Sequence, residues 1–299
     1  MTEFTHVDPG PSSPGRRMKL FRGGRPRGTR RPWFSGTVLG LFAACGLLGG
    51  VIAPHDPTDV NLAIDLEPPV WAGGTLSYPL GTDQLGRDVL SRLLSGAQVS
   101  FLVAVGAVVI AGAIGLVIAL LAGFLGGKLD DVLMRISDAS MAFPVVLLAI
   151  VIVASQGKSL TVVVLVLVLA AWPQYARVLR SEVIRIRTQD FVTMAQVMGG
   201  SRWWTITRHV VPNVIPTLLV LATLQVGLAI IAEGSLSFLG IGVPQPQASW
   251  GNMLSDGRTF LATAWWLPVL PGVALSVTVL AANLMGDWLR NALDPATRR

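Results

Sequence analysis

Long apolar runs separated by short polar connections are the dominant pattern of this chain. A spanning helix needs about 17 to 25 mostly apolar residues, because each residue rises about 1.5 Å and the hydrocarbon core is about 30 Å thick. Six runs meet that length, at 34–53, 99–124, 139–155, 160–179, 214–232 and 267–286. Open sheets at that depth would leave backbone groups unpaired, so the pattern predicts an all-α integral membrane protein with six transmembrane helices. Pro144, Pro173 and Pro271 fall inside runs and predict kinks.

Between the fourth and fifth runs lies a half-polar insert, QDFVTMAQVMGGSRWWTITRHVVPNVIP, residues 189–216. Phe191, Met194, Ala195 and Met198 recur at helical spacing while Gln189, Thr193 and Gln196 share the other side, which predicts a short amphipathic helix. Gly199 and Gly200 end it, and Ser201 caps a second helix, in which Trp203, Ile206 and Val210 form one face and Arg202, Thr205 and Arg208 lie towards the other. Pro212 then stands near the start of the fifth span. The expected product is a two-helix corner joined at a flexible turn. Two readings compete: an anchor lying among lipid headgroups, where Trp beside Arg is common, or a ridge shaped for a partner's groove.

Composition sharpens the membrane assignment. Of 299 residues 52% are hydrophobic and 13% charged, against about 25% charged in ordinary globular proteins. The net charge of +6 does not point to nucleic acid, because the basic residues cluster beside apolar runs. Eight Arg or Lys lie in residues 1–33 and six Arg between Arg177 and His209, and basic flanks mark the cytoplasmic side. Six spans return the C-terminus to that side, with Lys128, Arg135, Arg290, Arg298 and Arg299. The connection 54–98 holds six acids with Arg87 and Arg92 and is expected outside. Three segments follow: a basic, disordered cytoplasmic arm 1–33, a first span and external segment 34–98, and a five-span core 99–296 that contains the loop 188–213. RRPWF at 30–34 resembles a twin-arginine signal, but with five further spans behind it is read as a basic flank.

Candidate chemistry is sparse. GKS at 157–159 has the end of a phosphate-binding loop, yet the first glycine of that motif falls on Ile152, and the topology makes the segment a tight external turn. His6, His55 and His209 fall in separate compartments, Cys45 is alone, and no serine elbow is present, so no catalytic residue, metal site or cofactor is expected in this chain. Two polar side chains are pathway or gate candidates. Gln225 lies mid-span, where an amide also serves to bind a neighbouring helix; Glu233 follows the apolar part of span five, where a carboxylate also fits the outer water interface. Asp138 and Asp287 border cytoplasmic span ends and suit packing or helix-terminus roles. GTDQLGRDVLSR (81–92) predicts an amphipathic helix exposing Arg87 and Asp88, as an elbow before span two.

The insert resembles the EAA loop of ABC importer permeases, E-A-A-x3-G-x9-I-x-L-P. Ala195, Gly199 and Pro212 match, while Thr193 stands for the Glu, Met194 for the first Ala, His209 for the Ile and Val211 for the Leu. RHVVPN (208–213) is similar to the ending found in the dipeptide, oligopeptide and nickel branch, as are GTDQLGRDVLSRLLSGAQVS (81–100), MRISDASMAFP (134–144), EGSLSFLGIGVPQPQASWGNML (233–254) and GDWLRNALDP (286–295). The resemblance covers residues 33–296. It implies a bacterial inner-membrane subunit with both termini cytoplasmic, one of two different permeases around a pathway, most readily for peptides. It also implies separate ATPase subunits that bind the ATP and an external substrate-binding protein. Thr193, Met194, Ala195, Gly199, Gly200, Ser201, Arg208, His209 and Pro212 would then carry the ATPase contact. The alternative class, an ion-gradient-driven secondary transporter, needs intramembrane ionisable groups, and only Glu233 could serve; a same-family permease for nickel is the nearer alternative.

Overall fold

A computed structural model describes residues 32–293; residues 1–31 of the arm expected to be disordered, His6 among them, and Arg298 and Arg299 lie outside the described residues, while Trp33 already belongs to the first helix. Among these, structure is helical apart from turns and one isolated bridge between Thr82 and Asp88. Five helices are long and apolar enough to cross a membrane: α1 (Trp33–Ile52), α2 (Val89–Leu120, extended by a π-turn at Leu121–Leu125), α5 (Leu160–Arg187), α8 (Val211–Phe238) and α10 (Trp266–Leu293). A sixth crossing is formed only if α3 (Gly127–Met141) and α4 (Val145–Gln156), bent by 85°, are taken together. The remaining short helices are α6 (Asp190–Val197), α7 (Arg202–Thr205) and α9 (Trp250–Gly257).

The third expected span, 139–155, is therefore not one helix. Pro144 caps α4 from an extended conformation, and a residue before proline is pushed out of helical geometry, so the break falls at Phe143. Polar ties hold α3 against α5: Asp130 accepts two hydrogen bonds from Arg180, and Asp138 pairs with Arg177. Pro173 and Pro271, by contrast, sit inside the uninterrupted α5 and α10. Gly157, Lys158 and Ser159 form the tight turn expected between α4 and α5, with Ser159 Oγ capping α5 at Val162 N–H (3.2 Å).

α2 is the central helix, packed on α1, α5 and α8, and α10 closes the bundle against α8, α1 and α9. Lipid tails are as apolar as leucine, so membrane helices associate through close packing of small residues. At Gly115 and Gly123 an added Cβ would lie 2.3 Å from Tyr175 Cβ and 2.8 Å from Val183 Cγ1, so these glycines let α2 and its π-turn approach α5. Two apolar cores result. One joins α2, α5 and α8 and receives Val192, Ile206 and Val210 from the polar insert. The other joins α1, α2, α8 and α10 to Trp250, Met253 and Trp266.

Residues 81–88 are a buried loop, correcting the expected exposed helix. Gly86 has φ +69, and any Cβ there would meet Asn61 O at 1.8 Å, so the chain folds back tightly on the preceding segment. Asp83 accepts hydrogen bonds from the Leu85 and Arg87 N–H groups (2.9 and 3.0 Å) and pairs with Arg87 Nε (2.7 Å) and Arg92 Nε (3.4 Å). Asp88 is the N-cap of α2, accepting from Leu90 and Ser91. Arg92 also approaches Asp256 of α9 (3.7 Å), whose carboxyl is pushed up by burial and drawn back by Arg92 and Arg87. Trp266 and Trp250 donate their indole N–H groups to Thr82 O and Leu93 O, so both buried indoles are satisfied, while Arg92 Nη1 beside them makes no hydrogen bond.

Candidate functional site

The polar insert folds as a corner whose turn is closed by hydrogen bonds. Gly199, at φ +88, supplies the left-handed residue after α6. Gly200 N–H donates to Ala195 O and Gly199 N–H to Gln196 O, both at 3.0 Å, which is the paired Schellman arrangement. Gly200 is required for a different reason: a Cβ there would lie 2.6 Å from Ala195 O and 2.9 Å from the Trp204 ring. Ser201 Oγ then accepts from Trp204 N–H (3.2 Å) and starts α7. The turn expected to be flexible thus has its backbone donors placed.

The second helix of the corner is not separate from the fifth span. α7 runs through a π-turn (Ile206–Val210) directly into α8. Pro212 has no N–H to offer Arg208 O, which removes one ordinary helical bond. Val211 N–H bonds instead to Ile206 O, one residue further back, and Asn213 Nδ2 donates to His209 O (2.7 Å). α7 and α8 are one continuous helical body, to which α6 is joined through the Gly199–Ser201 turn.

The two faces of the corner differ from the expected ones. Val192, Ala195, Thr205, Ile206 and Val210 are buried, the first, fourth and fifth in the α2–α5–α8 core. Of the stripe Phe191, Met194, Ala195 and Met198, only Ala195 turns inward; Met194 and Met198 are 61% and 86% exposed, beside exposed Val197, Trp203 and Trp204. Thr205, assigned to the polar face, is buried and donates its hydroxyl to Ser201 O. Thr193, Ser201, Arg208 and Pro212 are exposed. His209 is only partly exposed and packs between the rings of Trp204 (5.0 Å) and Phe191 (6.2 Å), so it braces the corner from within.

Further along α8, Gln225 donates to Gln174 of α5 (2.6 Å). Both line a cavity of about 260 Å³ among α2, α4, α5 and α8. The sequence singled out Gln225 by its depth and not Gln174. Glu233 is fully buried rather than at an outer water interface. Its Oε2 accepts from Ser100 Oγ of α2 (3.0 Å) and its Oε1 from Ser237 Oγ (2.8 Å). Ser237 Oγ in turn accepts from Val243 N–H and lies 3.4 Å from Ser249 Oγ, the cap of α9. Glu233 thus knots α2, α8 and α9 together, while Ala229 and Ala232 face the cavity. Glu233→Ala should destabilise the protein by about 1 to 3 kcal/mol by orphaning buried hydroxyls, whereas Glu233→Gln, which keeps shape and an acceptor, should cost about 1 kcal/mol or less. Thermal unfolding in detergent separates the two, and an equal loss in both would mean that the charge itself is needed.

A bundle of membrane-length helices, one of them continuous with the second helix of an exposed apolar corner, is the architecture of a polytopic membrane protein. The family model for the binding-protein-dependent transport system inner membrane component matches residues 115–299, and the chain belongs to that family. It is similar to the di/tripeptide transport system permease protein of Pseudomonas aeruginosa (strain UCBPP-PA14), 40% identical over 256 residues, 85% of this chain and 84% of the relative. The probable D,D-dipeptide transport system permease protein of Escherichia coli (strain K12) is 36% identical over 261 residues, 87% and 86% of the two chains. The nickel transport system permease protein of the same strain is 38% identical over 258 residues, 86% and 91%.

Proposed function

We propose that this chain is the transmembrane subunit of an ATP-driven importer, forming half of a pathway for di- or oligopeptides and coupled through residues 189–212 to a separate ATPase. The observation that carries this reading is the exposed stripe Phe191, Met194, Val197 and Met198 with Trp203 and Trp204, on a corner whose second helix runs into α8. A lipid-seated anchor needs its apolar face at the bilayer boundary, whereas this corner is keyed by Val192, Ile206 and Val210 into the bundle core and offers its other side outward. A force on the ridge is then delivered to α8 as a rigid body, which is what switching between two pathway arrangements requires.

In this reading the ridge, the basic residues beside it and both termini are cytoplasmic. Thr193, Met194, Gly199, Gly200, Ser201 and Arg208 face the ATPase, while Ala195, His209 and Pro212 hold the corner's shape. Thr193 offers a hydroxyl where the family motif has a carboxylate, so the contact there is a neutral one. A second, different permease completes the pathway and an external binding protein delivers solute. Peptides are favoured by the names of the relatives and by a cavity whose polar groups are uncharged amides.

The chain reconstituted with its partner permease, ATPases and binding protein should take up dipeptide only with ATP and only with the ATPases present. Single cysteines at Met198 and Ser201, with Cys45 replaced by alanine, should crosslink to the ATPase during turnover. Uptake driven by an ion gradient without the ATPases, or crosslinks formed only from the external side, would overturn the reading.

A further inference from the structure

We propose that Gln174 and Gln225 together read the main chain of the transported peptide and form the recognition element of this subunit's half-pathway; this rests on the peptide-importer reading above. Both residues stand at the midpoints of 28-residue helices, α5 and α8, and so at a common depth in the bundle. They are the polar side chains of a cavity whose remaining lining is aliphatic, such as Ala107, Ala171, Leu228 and Ala232. Gln225 Nε2 donates to Gln174 Oε1 at 2.6 Å. That bond leaves Gln174 Nε2–H as a donor and Gln225 Oε1 as an acceptor.

A free donor and a free acceptor on one pair match in kind the two polar groups of a peptide unit, whose C=O accepts on one side of the trans bond and whose N–H donates on the other. Every peptide carries that unit, so recognition by it is independent of side chains, which would lie against small aliphatic walls. Acyl chains are a poor occupant, because they would leave the remaining donor of Gln174 and the acceptor of Gln225 without partners. A nickel ion prefers imidazole ligands and would find a single amide oxygen. Two other openings of similar size differ in kind. One, between α1, α2, α8 and α10, is apolar except for Thr223, whose hydroxyl already donates to Leu219 O. The other lies at the foot of α8 beside Arg290.

The test uses the assembled complex with binding protein, ATPases and both permeases in vesicles, with dialanine and alanyl-N-methylalanine as probes. Methionine matches glutamine in length and removes its hydrogen bonds. Gln225→Met should lower dialanine uptake by about 2- to 10-fold, the worth of one neutral hydrogen bond, and leave the N-methylated probe unchanged, so that the preference of the unsubstituted complex for dialanine disappears. Gln174→Met should lower both probes by a similar factor and keep the preference. Because the binding protein is the same throughout, its own selectivity cancels in these ratios. If both variants lower both probes equally, together with the thermal midpoint of the complex, the pair is helix–helix glue and the proposal falls. Unchanged uptake in both variants also overturns it. Failure of the unsubstituted complex to take up dialanine with ATP would instead remove the peptide-importer reading itself, and this inference with it.

Discussion

Valine at Gly199 is expected to lower ATP-dependent uptake while the protein still inserts into the membrane. The residue stands at φ +88 with open space around the position where a Cβ would go, so the penalty is one of backbone conformation alone. A left-handed L-residue costs about 1 to 2 kcal/mol, with β-branched side chains worse. The strained corner relieves itself by abandoning the two bonds to Ala195 and Gln196 carbonyls, and α6 then loses its angle to α7. A shift of that size changes the ratio of correct to incorrect corners about 5- to 30-fold, and ATP-dependent uptake should fall by at least that factor. Asparagine tolerates the left-handed region, so Gly199→Asn should retain most of the uptake. Full activity in the valine variant, or equal loss in both, would show that the conformation of this turn does not matter.

The second large effect is expected far from the ridge. Asp83→Ala strands the buried Arg87 guanidinium, leaves Arg92 only its longer approach to Asp256, and frees the two backbone N–H groups that the carboxylate accepts. Removing one member of a buried charge network typically costs about 3 to 5 kcal/mol, because the remaining charge is left unpaired in low dielectric. Asp138→Ala, which breaks a solvent-exposed pair with Arg177, should cost only about 0 to 1 kcal/mol. Thermal midpoints of the two purified variants therefore should differ widely. Similar midpoints would mean that water reaches Arg87 and Arg92 and that the network is not sealed.

The apolar runs made five spans legible, because length and hydropathy alone decide what the bilayer accepts. Their ends were less legible. α2 begins at Val89 rather than 99, since the polar residues before that run are buried by the Asp83–Arg87–Arg92 network, whose partners lie outside the window. α8 continues to Phe238, past the apolar window, because Ser100, 133 residues away, supplies a donor for Glu233. The corner itself could be read from Gly199, Gly200 and Ser201, whose turn and cap chemistry is local. Which of its faces turns inward could not be read: periodicity reports an apolar stripe, and a stripe left exposed looks the same as one made for the protein's own core. Gln174 was hidden for a similar reason, because pairing with Gln225 is a fact of helix register between α5 and α8.

The break at Pro144 has a consequence for how the chain is made. α4 has 12 residues, about 18 Å of helix against a hydrocarbon layer of about 30 Å, so it is too short to be released into lipid alone as it leaves the ribosome. Three residues later begins α5, 28 residues long and packed against it. The two must therefore enter the bilayer as one hairpin, with the short arm waiting at the insertion machinery until its longer neighbour has been synthesised. Lengthening the Gly157–Ser159 turn should delay that step more than it disturbs the finished protein.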